Sequence, residues 1–466
     1  MAASSPLAVA RRRSEFGLVL MAATITGAAY VLAALGKNAQ MPATIIPFLV
    51  ALLGLLVFAH IATRWLASGA DSTLLPLAAL LHGIGYVMIA RLSERRAALQ
   101  TTWSLIAVLA FVATLLVVQR PPDLARYKWT FLFFGAGSLL LPLVPGIGSS
   151  VGGARIWVSI GPVNIQPGEF AKIALALFFA GYLAENRELI AAGTARLGPL
   201  RIPELRYILP ITLAWGFAVA VMVAEKDLGS ALLFFTLFTV MMWVATERAV
   251  FLVIGLLLFS AAAYVAWRMF EVVQTRVDIW LDPWSRYEGK GYQPAQAMFA
   301  FANGGVGGTG LGLGSPNKIP AASTDYVYAA IGEELGLVGA TAVMIAFLLL
   351  FGAGFRIAVR AERPFEKLLA TGLTTIVAMQ AFIIIGGVLR LVPLTGITLP
   401  FVSYGGSSLL ANYILLALLL RVSHSAARQR GEVPDELTFG EQREARQLRK
   451  QERKQRPGDT VGTSPA

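Results

Sequence analysis

Run after run of this chain reaches or passes about 18 residues with almost no charge, the length a helix needs to cross hydrocarbon at roughly 1.5 Å per residue. Such a segment cannot leave backbone donors and acceptors open to lipid, so it must bond within itself as a helix. With 56% hydrophobic and only 14% charged residues, the chain reads as an all-α polytopic membrane protein. At roughly 20 residues per span, helices are expected near 16–35, 43–63, 74–91, 101–119, 129–146, 171–185, 207–224, 228–245, 249–267, 326–354, 368–391 and 398–420, about twelve in all. A membrane domain thus covers 16–422, between a short N-terminal tail at 1–15 and a charged tail at 423–466.

The formal charge of +12 is explained by loop orientation and requires no nucleic-acid partner. With the N-terminus cytoplasmic, the inner loops hold Arg120, Arg126 and Lys128, then Arg187, Arg196, Arg201 and Arg206, then Arg248, then Arg356, Arg360, Arg363 and Lys367. Arg91, Arg95 and Arg96 dissent by falling outside. Arg11, Arg12 and Arg13 precede an apolar run in the manner of a signal peptide, but that run is long enough to span and more spans follow, so it is read as a retained first helix. An even helix count returns the C-terminus to the cytoplasm, where the tail mixes both signs of charge and reads as solvated, with a short charged helix at 440–455. The absence of cysteine excludes disulfides, cysteine-ligated metals and a thiol nucleophile.

Under this orientation the unusual polar clusters, 150–170, 225–229, 268–325 and 394–408, all emerge on the outer face. In "GGARIWVSIGPVNIQPGEFAKI", Pro167 suits a first helical turn, Glu169 favours its positive end, and Lys172 follows three residues later on the same face. A cap with a local ion pair and a functional pair both fit. Arg155 either binds phosphate or anchors the interface. In "AEKDLGS" a tight turn explains Glu225, Lys226 and Asp227, with Asp227 able to cap the next helix. Segment 268–325 is too polar to span and too long for an ordinary connection. Within it "GGVGGTGLGLG" is a mobile loop whose bare backbone approaches a ligand or another helix; its formal GxGxxG match lacks the βαβ context of a dinucleotide site.

In "NKIPAASTDYVYAAIGEELGLVG", Asp325 reads as an N-cap for a helix beginning at Tyr326 or as a carboxylate free to meet a substrate. On one continuous helix Glu333 and Glu334 lie about 12 to 14 Å deeper, where an unpaired carboxylate is expensive, so one should pair with a cation such as Lys172 or Arg390. In "RLVPLTGITLPFVSYGGSSLLANY", Pro, Gly, Ser and Thr interrupt a helix pair as backbone lining a polar cavity does, or Gly405, Gly406, Ser407 and Ser408 form a small-residue packing face.

Taken in order, "GARIW", "QPGEFAK", "DLGS", "GYQPAQ" leading into "GTGLG", "PAASTDYVYAAIGEELG" and "LPFVSYGGSS" resemble the SEDS family of shape, elongation, division and sporulation proteins, the RodA and FtsW group, in details closest to its actinobacterial RodA branch. The resemblance covers about Gly152 to Leu420. It implies a core of about ten helices, so this chain carries an extra N-terminal pair, and "QPGE" and Glu225-Lys226 depart from the commoner family residues. It implies an inverting glycosyltransferase that polymerises lipid II on the extracytoplasmic face of the cytoplasmic membrane, beside a class B penicillin-binding protein that crosslinks the product.

The resemblance further implies that Asp325 is the catalytic aspartate, deprotonating the acceptor's 4-hydroxyl or holding a divalent cation, magnesium first and manganese as the alternative. Arg155, Lys172 and Lys226, with Ser403 and Tyr404, are then the substrate and pyrophosphate residues. Glu169, Asp227, Glu333 and Glu334 support them. Two rivals remain: a transporter or lipid II flippase, and a non-enzymatic scaffold for cell-wall enzymes. No second copy of the motifs occurs, as a repeat-built transporter would show, and a scaffold would tolerate Asp325→Asn.

Overall fold

The computed structural model describes residues 6–39, 45–151, 154–161, 163–192, 195–197, 200–202 and 204–433. The expected short helix at 440–455 lies outside the described residues. Among the described residues the chain forms fourteen α-helices: α1 Pro6–Asn38, α2 Ile45–Leu66, α3 Leu74–Leu92, α4 Glu94–Val117, α5 Lys128–Leu140, α6 Gly168–Ala192, α7 Leu205–Ala224, α8 Leu228–Thr246, α9 Val250–Met269, α10 Glu271–Leu281, α11 Tyr292–Gly304, α12 Val327–Arg360, α13 Pro364–Val388 and α14 Gly406–Gln429. Nine of them are long and apolar enough to cross a membrane. The protein is therefore a multi-pass, helical membrane protein.

Burial sorts these spans into a centre and a rim. In α13 and α14, 83% of the apolar window is covered by protein, and in α3 67%, whereas α9 is covered over only 6%. The rim helices turn residues such as Leu256 and Leu257 outward, as a lipid-facing surface requires. At the centre, where lipid and leucine are equally apolar, close approach comes from small residues. Gly85 of α3 runs so near the backbone of Val402 that a Cβ would sit 2.3 Å from its carbonyl oxygen.

Two small antiparallel sheets supplement the expected all-α fold. Strands β1 Gly148–Val151, β2 Ala154–Ile160 and β3 Val163–Ile165 make one, in the order β1-β2-β3; β4 Ala195–Leu197 and β5 Leu200–Ile202 make the other. Both lie between spans, where glycines and β-branched residues suit a hairpin and a helix gains nothing from lipid. The central helix α14 also runs to Gln429, beyond the expected boundary at 422, and residues 430–433 fold back so that Val433 is buried.

Buried charge joins the first two helices to each other. Glu15 of α1 is fully enclosed, paired with Arg64 of α2 and 2.7 Å from His60 Nδ1. A guanidinium and an imidazole around one carboxylate satisfy a group that would otherwise be costly at such depth.

Candidate active site

All four polar clusters expected on one face are brought together there. The Arg155 backbone N–H donates to the Glu225 carbonyl at 3.0 Å, joining β2 to the turn between α7 and α8. The Gln166 N–H donates to Ser407 Oγ at 3.0 Å, tying the start of α6 to α14. Tyr404 N–H donates to Ser323 C=O at 2.8 Å, and Ser403 Oγ donates to Thr324 C=O at 2.5 Å. Thus the residues just before Asp325 are clamped to the 398–404 loop.

Asp325 is half-buried, and Gly396 lies against it: a Cβ there would stand 3.7 Å from Asp325 Oδ2. The N-cap expectation is corrected. Helix α12 begins at Val327 with Tyr326 in the cap position and no side-chain capping bond. Released from that duty, the carboxylate is left to other work. Burial lifts its pKa to about 6, against the opposing pull of the Thr324 hydroxyl and of Arg276.

Arg276 escaped the sequence reading. Val273, Arg276 and Ile279 of helix α10, at i, i+3 and i+6, are all half-buried, so an arginine occupies a position where that spacing calls for an apolar residue. That was the available signal. The turn at 390 holds α10 in place: Trp280 Nε1 donates to Arg390 C=O at 2.9 Å, and Arg390 Nη2 donates to Leu281 C=O at 3.0 Å. The Arg276 guanidinium feels the charge of both Asp227 and Asp325, yet its Nη1 is buried without a hydrogen-bond partner.

Asp227 in turn caps α8, accepting from Ser230 N–H at 3.0 Å and from Ser230 Oγ–H at 2.6 Å. Burial raises its pKa, opposed by Ser230 and Arg276. Its neighbour Glu225 is pushed to about 8 by burial and by Asp227, which leaves it a protonated donor at neutral pH. Lys172 is 2% exposed, its Nζ 2.5 Å from Glu169 Oε2 and 2.9 Å from Gln380 Oε1, and within electrostatic reach of Asp227. The result is an alternating series, Glu169, Lys172, Asp227, Arg276, Asp325, running from bundle interior to loop.

The remaining expected residues divide. Lys226 is exposed on its turn, and Arg155 donates from Nη2 to Val144 C=O at 3.2 Å. Tyr404 is half-buried with the Arg96 guanidinium 5.8 Å from its ring centre. Ser403, 4% exposed, is a buried clamp: its oxygen also accepts from Leu399 N–H at 3.0 Å.

Glu333 and Glu334 take partners other than Lys172 or Arg390. Gly336 (φ 65°, ψ −168°) breaks α12 right after them, so they end a short first segment and the glycine-rich loop wraps that end. Thr309 and Gly310 N–H groups donate to the Glu333 and Glu334 carbonyls at 2.9 and 3.0 Å, while Ser315 N–H reaches Glu333 Oε1 at 2.9 Å and Gly312 N–H reaches Glu334 Oε2 at 3.0 Å. Arg91 Nε lies 3.1 Å from Glu334 Oε1. The loop's bare backbone thus serves to approach a helix. A Cβ on Gly308 would stand 2.3 Å from the Glu334 carbonyl oxygen. Two of the three arginines that broke the orientation rule, Arg91 and Arg96, are accounted for as well, since Arg96 donates to Ser323 Oγ.

Comparison with known proteins agrees with this arrangement. The profile of the FtsW, RodA and SpoVE family of cell cycle proteins matches residues 71–428. The peptidoglycan glycosyltransferase RodA of Mycobacterium tuberculosis is 44% identical over 437 residues, covering 91% of this chain and 93% of that protein. The enzyme of the same name from Mycobacterium leprae is 42% identical over 426 residues, covering 89% and 91%. Among solved structures, a chain of a peptidoglycan synthase complex that coordinates polymerization and crosslinking superposes with a TM-score of 0.64 at 28% identity, covering 77% of this chain and 98% of that one. The rod shape determining protein RodA of Thermus thermophilus gives 0.54 at 26%, covering 76% and 96%. With the motifs converging on Asp325 and the profile spanning most of the sequence, the chain belongs to the FtsW/RodA/SpoVE, or SEDS, family.

Proposed function

We propose that this protein is a peptidoglycan glycosyltransferase that polymerises lipid II at the face carrying Asp325. The observation that carries the reading is a half-buried carboxylate freed from capping, raised to about 6, beside a guanidinium with an unpartnered buried nitrogen. A general base works best when its pKa lies near the operating pH, because it is then both ionised and basic. Asp325 takes the proton of the acceptor sugar's 4-hydroxyl as that oxygen attacks the anomeric carbon of the donor. The bond to pyrophosphate breaks on the opposite side, with inversion. Pyrophosphate is already a stable anion, so one carboxylate suffices where glycosidases use two.

Positive charge must meet the leaving pyrophosphate. Arg276 is the inner cation, with Lys172 behind it, oriented by Glu169 and linked through Asp227. Arg155 and Lys226 stand at the rim, joined through the Glu225 carbonyl. Tyr404 and Ser403 keep the 398–404 loop against the Asp325 segment. Glu333 and Glu334 hold that segment from behind.

No group of three or more acidic or histidine side chains placed to hold a metal occurs among the described residues. A magnesium ion does not require one, since one or two carboxylates plus substrate phosphates are its common setting. Asp325 would hold such a cation, magnesium first and manganese second, jointly with the substrate. The chemistry supplied there is neutralisation of pyrophosphate charge.

This reading places the protein in the cytoplasmic membrane with both termini inside and about twelve spans: the nine long ones with α2, α5 and α6. It also takes a class B penicillin-binding protein as partner, on the analogy of the synthase complex. The test is lipid II polymerisation by the purified protein with that partner and magnesium, the partner's transpeptidase blocked. Wild type should make glycan chains, and a folded, partner-bound Asp325→Asn should make none. Equal polymer from both would discard the aspartate; no polymer from either would return the transporter reading.

A further inference from the structure

The helices that begin around Asp325 end together at the opposite face, α12 running 34 residues between the two. There a cavity of about 200 Å³ is lined by Arg11 from α1, Arg356 and Arg360 from α12 and Arg430 after α14, with Asp71 at the entry to α3. Four guanidiniums from three distant parts of the chain repel one another unless anions answer them. Two carboxylates do so incompletely. Glu432 is shared between Arg11 and Arg430. Asp71 spends Oδ1 on its own turn, accepting from Thr73 N–H at 2.9 Å and Thr73 Oγ–H at 2.6 Å, and its Oδ2 is a distant 3.8 Å from Arg356. Among the described residues Arg360 meets no carboxylate, and its backbone carbonyl instead accepts from Arg430 Nη1 at 3.0 Å.

We infer that this cavity is a binding site for a phosphate-bearing anion, the headgroup of an acidic phospholipid. The guanidinium fork matches phosphate oxygens two at a time, and a basic pocket between helix ends is where lipid headgroups lodge. The membrane is the source because Phe355 and Val359, next to Arg356 and Arg360 on α12, are 40% and 79% exposed. An apolar surface of that kind beside the cations suits acyl chains. The site stands apart from the reaction proposed at the other face.

Native mass spectrometry of the full-length protein, titrated with phosphatidylglycerol or phosphatidylcholine in neutral detergent, tests this. One saturable phosphatidylglycerol adduct is expected. In R356Q/R360Q its affinity should drop about 25-fold, at roughly fivefold per arginine, while R248Q, whose arginine lies on another connection, should bind like wild type. Equal binding of phosphatidylcholine, an equal loss in R248Q, or no saturable adduct would overturn the site. Inorganic phosphate displacing the lipid at comparable concentration would keep the phosphate pocket and remove the lipid as its occupant. Because Arg356 and Arg360 are exposed, the substitutions leave the core untouched, and an unchanged thermal midpoint verifies the fold.

Discussion

Two arginines meet carboxylates at the same face of this protein, with opposite outcomes. Arg91 sits against Glu334 and also donates to the carbonyls of Gly312 and Gly314 at 3.2 and 3.0 Å, while the loop's N–H groups answer the rest of the glutamate pair. Arg276 stands between Asp227 and Asp325 and leaves a buried nitrogen unanswered. Arg91 Nε and Glu334 Oε1 make no hydrogen bond either, but they face each other at 3.1 Å as an ion pair, whereas Arg276 makes no ion pair among the described residues; a buried charge that is paired holds structure in place. One that is left open costs stability and is retained where a ligand completes it.

The comparison breaks most visibly at Arg91. Its removal should leave Glu334 buried without its cation, a loss of about 3 to 5 kcal/mol, read as a lowered thermal midpoint in detergent with near-normal turnover per folded molecule. Arg276→Ala should do the reverse: about 100-fold less polymer, on the scale of losing one donor to developing charge, at an unchanged midpoint. If both variants lost stability equally, the distinction between the two arginines would collapse.

The pH profile sharpens the contrast further. Turnover should fall as pH drops through about 6, where Asp325 takes up its proton. Stability should run the other way. The folded-state pKa lies above the ordinary 3.8, so the folded protein binds that proton more tightly, and its contribution declines as pH rises through about 6. In Arg276→Ala the acid limb should move upward, since Arg276 pulls the carboxyl down; an unmoved limb would detach Arg276 from Asp325. The smallest effect is expected at the exposed rim, where Lys226→Gln should slow polymerisation roughly two- to fivefold by weakening a screened contact.

Membrane helices were legible in the sequence because lipid imposes one rule on every span: apolar length and internally satisfied backbone. The polar clusters were legible for the same reason, as departures from that rule. Asp325 and the Glu169–Lys172 pair were found in this way, since an ionisable group at such positions needs an explanation. What stayed hidden depended on distant chain. The cation expected beside one of Glu333 and Glu334, Lys172 or Arg390, is Arg91 instead, because the sequence carries no warning that Gly336 ends their helix, nor that Arg91, some 240 residues earlier, comes to meet Glu334. The glycine-rich loop read as mobile because its partner, the end of a helix, is invisible in its own composition.

By itself, then, the sequence determined a helical protein that crosses the membrane many times and the places of its polar clusters, Asp325 among them, each a matter of local polarity against a lipid background. Only the tertiary structure decided which charges are answered and which are left waiting. Pairing depends on distances of a few ångströms between residues hundreds of positions apart, and spacing along the chain carries no information about those distances. Arg276 and the arginine cavity at the far face both belong to that second kind of knowledge.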